Sequence, residues 1–231
     1  MTWDSYCKFK EVINKNETLN KKYYVQEIDS IDDYVELPKL RINGTTYIEE
    51  LYKDWHIHQG IYIDIFILHK TGKSIFSRVK QHFSNQYLVL KSLSNKKYSK
   101  KASFLMKFLR LFPYNFLRKN SLKNLYKYEK NNSANLYFYD TDIRGFKKSF
   151  CDVSEIFPPV LHNFEGVDLF VPKKYEDYLS RVYGDYMSVP SMENIRDHQH
   201  SAYWSVDEDF KKYLKVNDDY FDERRGYNVK R

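Results

Sequence analysis

The sequence predicts an α+β fold, a core of short strands and helices interrupted by a basic helical insertion. Three observations predict it. Short runs rich in branched and aromatic residues, such as KKYYVQEI and GIYIDIFIL, are bounded by turn residues. Between residues 70 and 130 the apolar residues recur at helical spacing instead. The same stretch holds 16 Lys or Arg and one acid, Glu129, a charge of +15 that leaves −8 on the rest of a chain whose net charge is +7.

Composition sets the class. With 42% hydrophobic and 18% aromatic residues over 231 positions, the chain is globular and long enough for one substantial core. No segment approaches the roughly 20 apolar residues that a membrane span needs. The N-terminal stretch MTWDSYCKFKEVINKNE is charged from the outset and has no signal-peptide core. Cys7 and Cys151 are not in a CxxC spacing, which argues for a reducing cytoplasm and against zinc-knuckle or redox chemistry.

The elements follow in order. Residues 3–15 read as a helix carrying Trp3, Tyr6, Cys7 and Phe9 among charges. KKYYVQEI (21–28) and PKLRING (38–44) read as short strands, with Asn43-Gly44 a turn and a polar run toward Trp55 after it. GIYIDIFIL (60–68) has the composition of a strand buried on both faces. Gly72 breaks the chain, and helices are expected at 74–93, at 101–112 before Pro113, and at 116–130. NLYFYD reads as a strand, and 164–172 as a strand or hairpin turning near Glu165-Gly166. Pro172 suits a helix start, Tyr175, Tyr178, Leu179 and Val182 share a helical face, and Gly184 suits the stop. The charged tail, about 211–231, is expected to fray. The whole is read as a single domain over 1–231 with its insertion at about 70–131.

Asp64 is the first candidate site residue. It stands in an apolar run with no basic neighbour on its own strand, and an unpaired buried carboxylate costs several kcal/mol. Two readings are open: an edge-strand acid facing water, or a metal ligand on a rigid strand in a phosphoryl-transfer cleft. Arg196, His198 and His200 alternate in NIRDHQHSAYW, so an extended segment projects all three to one side. Arg suits bidentate phosphate contact, and His donates to phosphate, ligates metal or moves a proton. A surface turn is the competing reading. His56 and His58 in DWHIHQG read as a solvated approach to the Asp64 strand.

The basic block has three readings. It is a solvated helical face, a nucleic-acid surface without a recognisable module, or an amphipathic face lying on an anionic bilayer. Residues 101–119 are the expected membrane contact, because Phe104, Leu105, Phe108, Leu109, Leu111 and Phe112 share a face opposite Lys107 and Arg110. Nucleic acid is not expected as a partner.

Taken together, GIYIDIFIL, the basic stretch, FEGVDLFVPKKYEDYLSRVYGDYMSVP and IRDHQH resemble the LicD family. That family includes bacterial phosphorylcholine transferases and fukutin-like eukaryotic proteins. The most specific part is F-E-G, V-P-K, Y-x-x-Y-L and Y-G-D-Y-M in this order, and the resemblance runs from about Met1 to about Trp204.

The resemblance implies a nucleotidyltransferase-like mixed sheet and a transferase that takes a phospho-alcohol such as phosphocholine from a CDP-linked donor. The acceptor it implies is a cell-surface glycan (teichoic acid, capsule or lipopolysaccharide precursor), often lipid-linked. The implied localisation is cytoplasmic and peripheral on the inner face of the membrane. It further implies Mg2+ or Mn2+ held by an early acidic pair plus a third carboxylate, whose candidate here is Asp64. Arg196 and His198, with His200 beside them, would bind phosphate. The family's early glycine turn and W-D-D-D-I-D run do not occur in residues 1–231, and MTWDSYCKF looks like their continuation. The domain is therefore expected to be N-terminally incomplete, with metal binding weak or absent and little turnover. A non-catalytic remnant, or an accessory protein binding glycan or a partner enzyme, is the alternative expectation.

Overall fold

A computed structural model of the chain describes residues 1–27, 37–49, 53, 57–93, 114–131, 136–139, 145–192, 201–214, 221–222 and 227–228. The fold is α+β, with small antiparallel sheets. The chain divides into two compact units: one made of Met1–Ile67, Val89–Leu111 and Met192–Arg231, the other of Leu68–Leu88 and Phe112–Ser191.

The first unit opens with α1 (Trp3–Lys15), which begins where Thr2 caps it by accepting from the Ser5 amide. Asp4 in the first turn and Lys15 in the last both complement the helix dipole. The helix lays Tyr6 against Ile65 and Ile67, with Trp3, Phe9, Val25 and Leu40 around them, and this is the core of the unit. Asn16 ends α1 and caps α2 (Glu17–Lys22) by accepting from the Leu19 amide. Three antiparallel strands follow, in the order β1 (Tyr23–Gln26), β2 (Lys39–Ile42) and β4 (Tyr62–Asp64). The Asn43-Gly44 turn forms as predicted, with Gly44 at a φ of +76°, which a side chain would disfavour. It leads into β3 (Thr46–Glu49), which pairs with β10 (Ser201–Ser205) from far along the chain.

The second unit is built on the antiparallel sheet β5 (Leu68–Lys70), β6 (Leu136–Tyr139) and β7 (Phe150–Asp152). Leu68, Cys151 and Ile156 form its core with Tyr137, Phe157 and Tyr178 packed against them. Helices α3 (Ile75–Leu93) and α4 (Tyr114–Tyr126) come from the basic block, the latter starting just after Pro113. Asp152 and Glu155 form a capping box for the short α5 (Val153–Ile156). The hairpin β8 (Val160–Phe164) and β9 (Val167–Val171) turns at Glu165-Gly166, both with positive φ. The helix predicted beyond it is α6 (Tyr175–Tyr183), stopped by Gly184 at a φ of +74°. The tail holds a 3-10 turn at Phe210–Tyr213, with Phe210 buried, and the paired strands β11 (Phe221–Asp222) and β12 (Tyr227–Asn228).

GIYIDIFIL differs from its prediction. It is not one strand buried on both faces but two short strands in two sheets, β4 ending at Asp64 and β5 beginning at Leu68. Among the described residues β4 is at the end of its sheet order, with no strand neighbour on one side, and Ile63 faces solvent. The apolar character of the run belongs instead to Ile65, Ile67 and Leu68, which enter the cores of the units on either side of the break. The expected helix over 101–112 lies outside the described residues.

Candidate functional site

The site builds from the register of β2 against β4. Lys39 is opposite Asp64 and Arg41 opposite Tyr62, so alternation puts all four side chains on one face of the sheet. Lys39 Nζ is 2.6 Å from Asp64 Oδ1, and the lysine side chain is 5% exposed against 37% for the aspartate. The same ammonium is 3.8 Å from the centre of the Tyr62 ring, and the Arg41 guanidinium is 4.8 Å from it. The ring therefore lies against two cations. Arg41 is buried and held by Gln26, which accepts from Nε at 2.7 Å, and by the Gly60 carbonyl, which accepts from Nη1 at 3.1 Å.

Tyr62 links this face to the neighbouring strand pair. Its hydroxyl donates to Glu49 Oε1 at 3.0 Å, and the Tyr47 ring meets its own edge-on at 5.5 Å. Glu49 in turn is the register partner of Ser201, the first residue of β10. Arg196, His198 and His200 lie outside the described residues, but the chain leaving that segment at Ser201 is tied to Glu49 and through it to Tyr62. Thr46 pairs with Ser205 at the far end of β10, and its hydroxyl donates to the Glu208 carbonyl beyond that end at 2.6 Å.

Asp64 thus has a cross-strand cation that inspection of its own strand could not reveal. A buried lysine opposite it supplies the folding reason for the carboxylate. Nothing local announced the pairing: Lys39 lies 25 residues upstream, and the β2–β4 register brings it opposite Asp64. Glu49, Arg41 and Tyr62 are site residues that sequence reasoning missed.

Mg2+ or Mn2+, implied at Asp64 by the resemblance, does not fit the side chains described there. An ammonium is bonded to one oxygen of the single carboxylate, and among the described residues no three His, Cys, Asp or Glu side chains are grouped to hold a metal ion.

His58 corrects another expectation. It is buried rather than a solvated approach, its ring stacked on Tyr24 at 4.8 Å and packed against Phe210 at 4.4 Å. Its Nδ1 accepts from the Gly60 amide at 3.1 Å, so in the neutral ring Nε2 carries the proton and donates to Asn43 Oδ1 at 2.9 Å. Burial, then the positive charges of Arg41 and Lys211, push its pKa down to about 2. The fit demands Gly60, because a Cβ there would lie 2.3 Å from the Ile42 carbonyl oxygen and 2.7 Å from His58 Cε1. His58 is a structural pin beneath the Arg41 face. His56 lies outside the described residues.

Among the described residues no helix is long and apolar enough to cross a membrane. Comparison with family models, with curated proteins and with solved structures returns no match.

Proposed function

We propose that residues 1–231 carry the donor-binding frame of a LicD-like phosphotransferase with a nucleotidyltransferase-like sheet. Its donor is a CDP-linked phospho-alcohol such as CDP-choline, and its acceptor a hydroxyl of a cell-surface glycan or lipid-linked precursor. The reaction belongs to the cytoplasmic side, at the inner face of the membrane. The observation that supports the reading is a link from Ser201, the first described residue after Arg196, His198 and His200, to the strand that ends at Asp64. The β3–β10 pairing sets Ser201 opposite Glu49, whose carboxylate accepts from Tyr62, two residues from Asp64.

In this reading Arg196 takes a phosphate bidentately and His198 and His200 donate to the remaining oxygens, which lowers charge repulsion against an incoming hydroxyl. The acceptor oxygen attacks the phosphorus in line, the P–O bond to CMP breaks with its electron pair leaving on CMP, and the hydroxyl proton passes to water. The donor set at Asp64 does not supply the metal that such a transfer ordinarily uses, so this chain by itself should turn over little. Incubation with CDP-choline, Mg2+ and a teichoic acid or lipopolysaccharide acceptor, followed by 31P NMR, tests this. No transfer above the protein-free rate is expected, and robust turnover abolished by Asp64→Asn would overturn it.

The bonding of Asp64 to Lys39 favours a second reading, a non-catalytic accessory protein of the same pathway that binds glycan or a partner enzyme. Acceptor binding without any affinity for CDP is its signature.

A further inference from the structure

The helices of the basic block present an inverted amphipathic pattern. The buried side of α3 is mainly polar, with Ser77, Gln81, Ser84 and Asn85 beside Leu88. Several of these groups bond within the unit: Gln81 Nε2 donates to the carbonyls of Lys70 and Leu125, and Ser84 accepts from Asn124 of α4. On the opposite side Phe76, Lys80 and Phe83 follow at i, i+4 and i+7, and Phe76 is 76% exposed and Phe83 67%. Helix α4 repeats the arrangement. It buries Ser121, Asn124 and Leu125 and turns Phe116, Lys119 and Lys123 outward, with Phe116 68% exposed.

The exposed charges of α3 and α4 have one sign. The single acid between residues 70 and 130 is Glu129, and it faces inward, its Oε1 2.6 Å from Nδ1 of the fully buried His69. Among the described residues of the block, no carboxylate reaches solvent to offset the lysines.

We propose that α3 and α4 lie on an anionic lipid bilayer, with Phe76, Phe83 and Phe116 at the acyl boundary and Lys80, Lys119 and Lys123 against lipid phosphates. Exposed phenylalanines gain nothing in water, whereas each side chain taken into the acyl boundary recovers its apolar transfer energy. Lysines add attraction to an anionic surface. The residue types favour lipid over nucleic acid. Ile75, exposed beside Phe76, is aliphatic and cannot stack on a base as an aromatic ring would, and Arg78 on the same helix already donates to the carbonyls of Gly72 and Lys73. This inference stands apart from the transferase reading, since it needs neither donor nor acceptor.

Co-sedimentation of the full chain with vesicles tests it, using phosphatidylcholine alone and phosphatidylcholine with about one-third phosphatidylglycerol. Binding to the anionic vesicles only, weakened by salt, is expected. The variants Phe76→Ser/Phe83→Ser and Lys80→Glu/Lys123→Glu should each weaken it at least about tenfold while keeping the parent's circular dichroism and melting temperature, since all four side chains face solvent. Absence of binding to the anionic vesicles, or unchanged binding by Phe76→Ser/Phe83→Ser, overturns it. So does binding lost in Phe104→Ser/Phe108→Ser but kept in Phe76→Ser/Phe83→Ser, which would move the contact to residues 101–113. Preferential, salt-sensitive capture of single-stranded RNA by the same lysines would likewise replace lipid with nucleic acid.

Discussion

Lys39 and Asp64 face each other across the β2–β4 pair, with Nζ 2.6 Å from Oδ1 and the lysine the more deeply buried partner. That asymmetry predicts an asymmetric mutational cost. Asp64→Ala removes the carboxylate that neutralises a buried ammonium, and should cost about 1–3 kcal/mol, discounted from the fully buried case because the carboxylate is partly solvated. Lys39→Met leaves a carboxylate that can turn to water and should cost less. The double variant Lys39→Met/Asp64→Ala should recover most of the loss. Urea unfolding of the four proteins checks this, and equal, additive losses would deny the coupling.

Acid sensitivity should trace to His58. Its pKa is pushed down to about 2 in the folded protein, while the unfolded chain protonates near the ordinary value of 6.5. The unfolded state therefore binds more protons as pH falls below 6.5, and the stability contributed by neutral His58 is progressively lost toward pH 2. Between pH 7 and pH 5 the loss should be about 2 kcal/mol. Comparison of the parent with His58→Gln isolates this share, since the variant lacks the titrating ring. Parallel stability curves for the two proteins would contradict it.

In the other unit, the buried His69 depends on Glu129, and Glu129→Leu should cost about 2 kcal/mol by leaving the imidazole without that acceptor. The midpoint of urea unfolding, followed by far-ultraviolet circular dichroism, should fall. An unmoved dichroism signal would show that the pair contributes nothing.

Much of the local structure was legible in the residues. Thr2 and Asp4 mark the start of α1, Asn43-Gly44 and Glu165-Gly166 mark turns, and Gly184 ends α6 where its positive φ is needed. These are signals within a few residues of what they determine. What escaped was nonlocal. The pairing of β3 with β10 joins residues over 150 positions apart, and TTYIE alone does not announce a partner. The break in GIYIDIFIL depends on Asp64 pairing with β2 while Leu68 pairs with β6, a choice made by two sheets rather than by the run itself. His58 was read as solvated because the residues that bury it, Tyr24 and Phe210, are remote in sequence. Of the candidate site, Asp64 was legible as an anomaly, and its partner Lys39 was not.

Calorimetric titration of CDP-choline into the chain, with and without Mg2+, tests the donor-binding reading most directly. The account predicts measurable binding that Mg2+ changes by less than about twofold, since the donor set at Asp64 is incomplete, and that Arg196→Ala abolishes. No heat of binding in either buffer, or binding indifferent to Arg196→Ala, would contradict it.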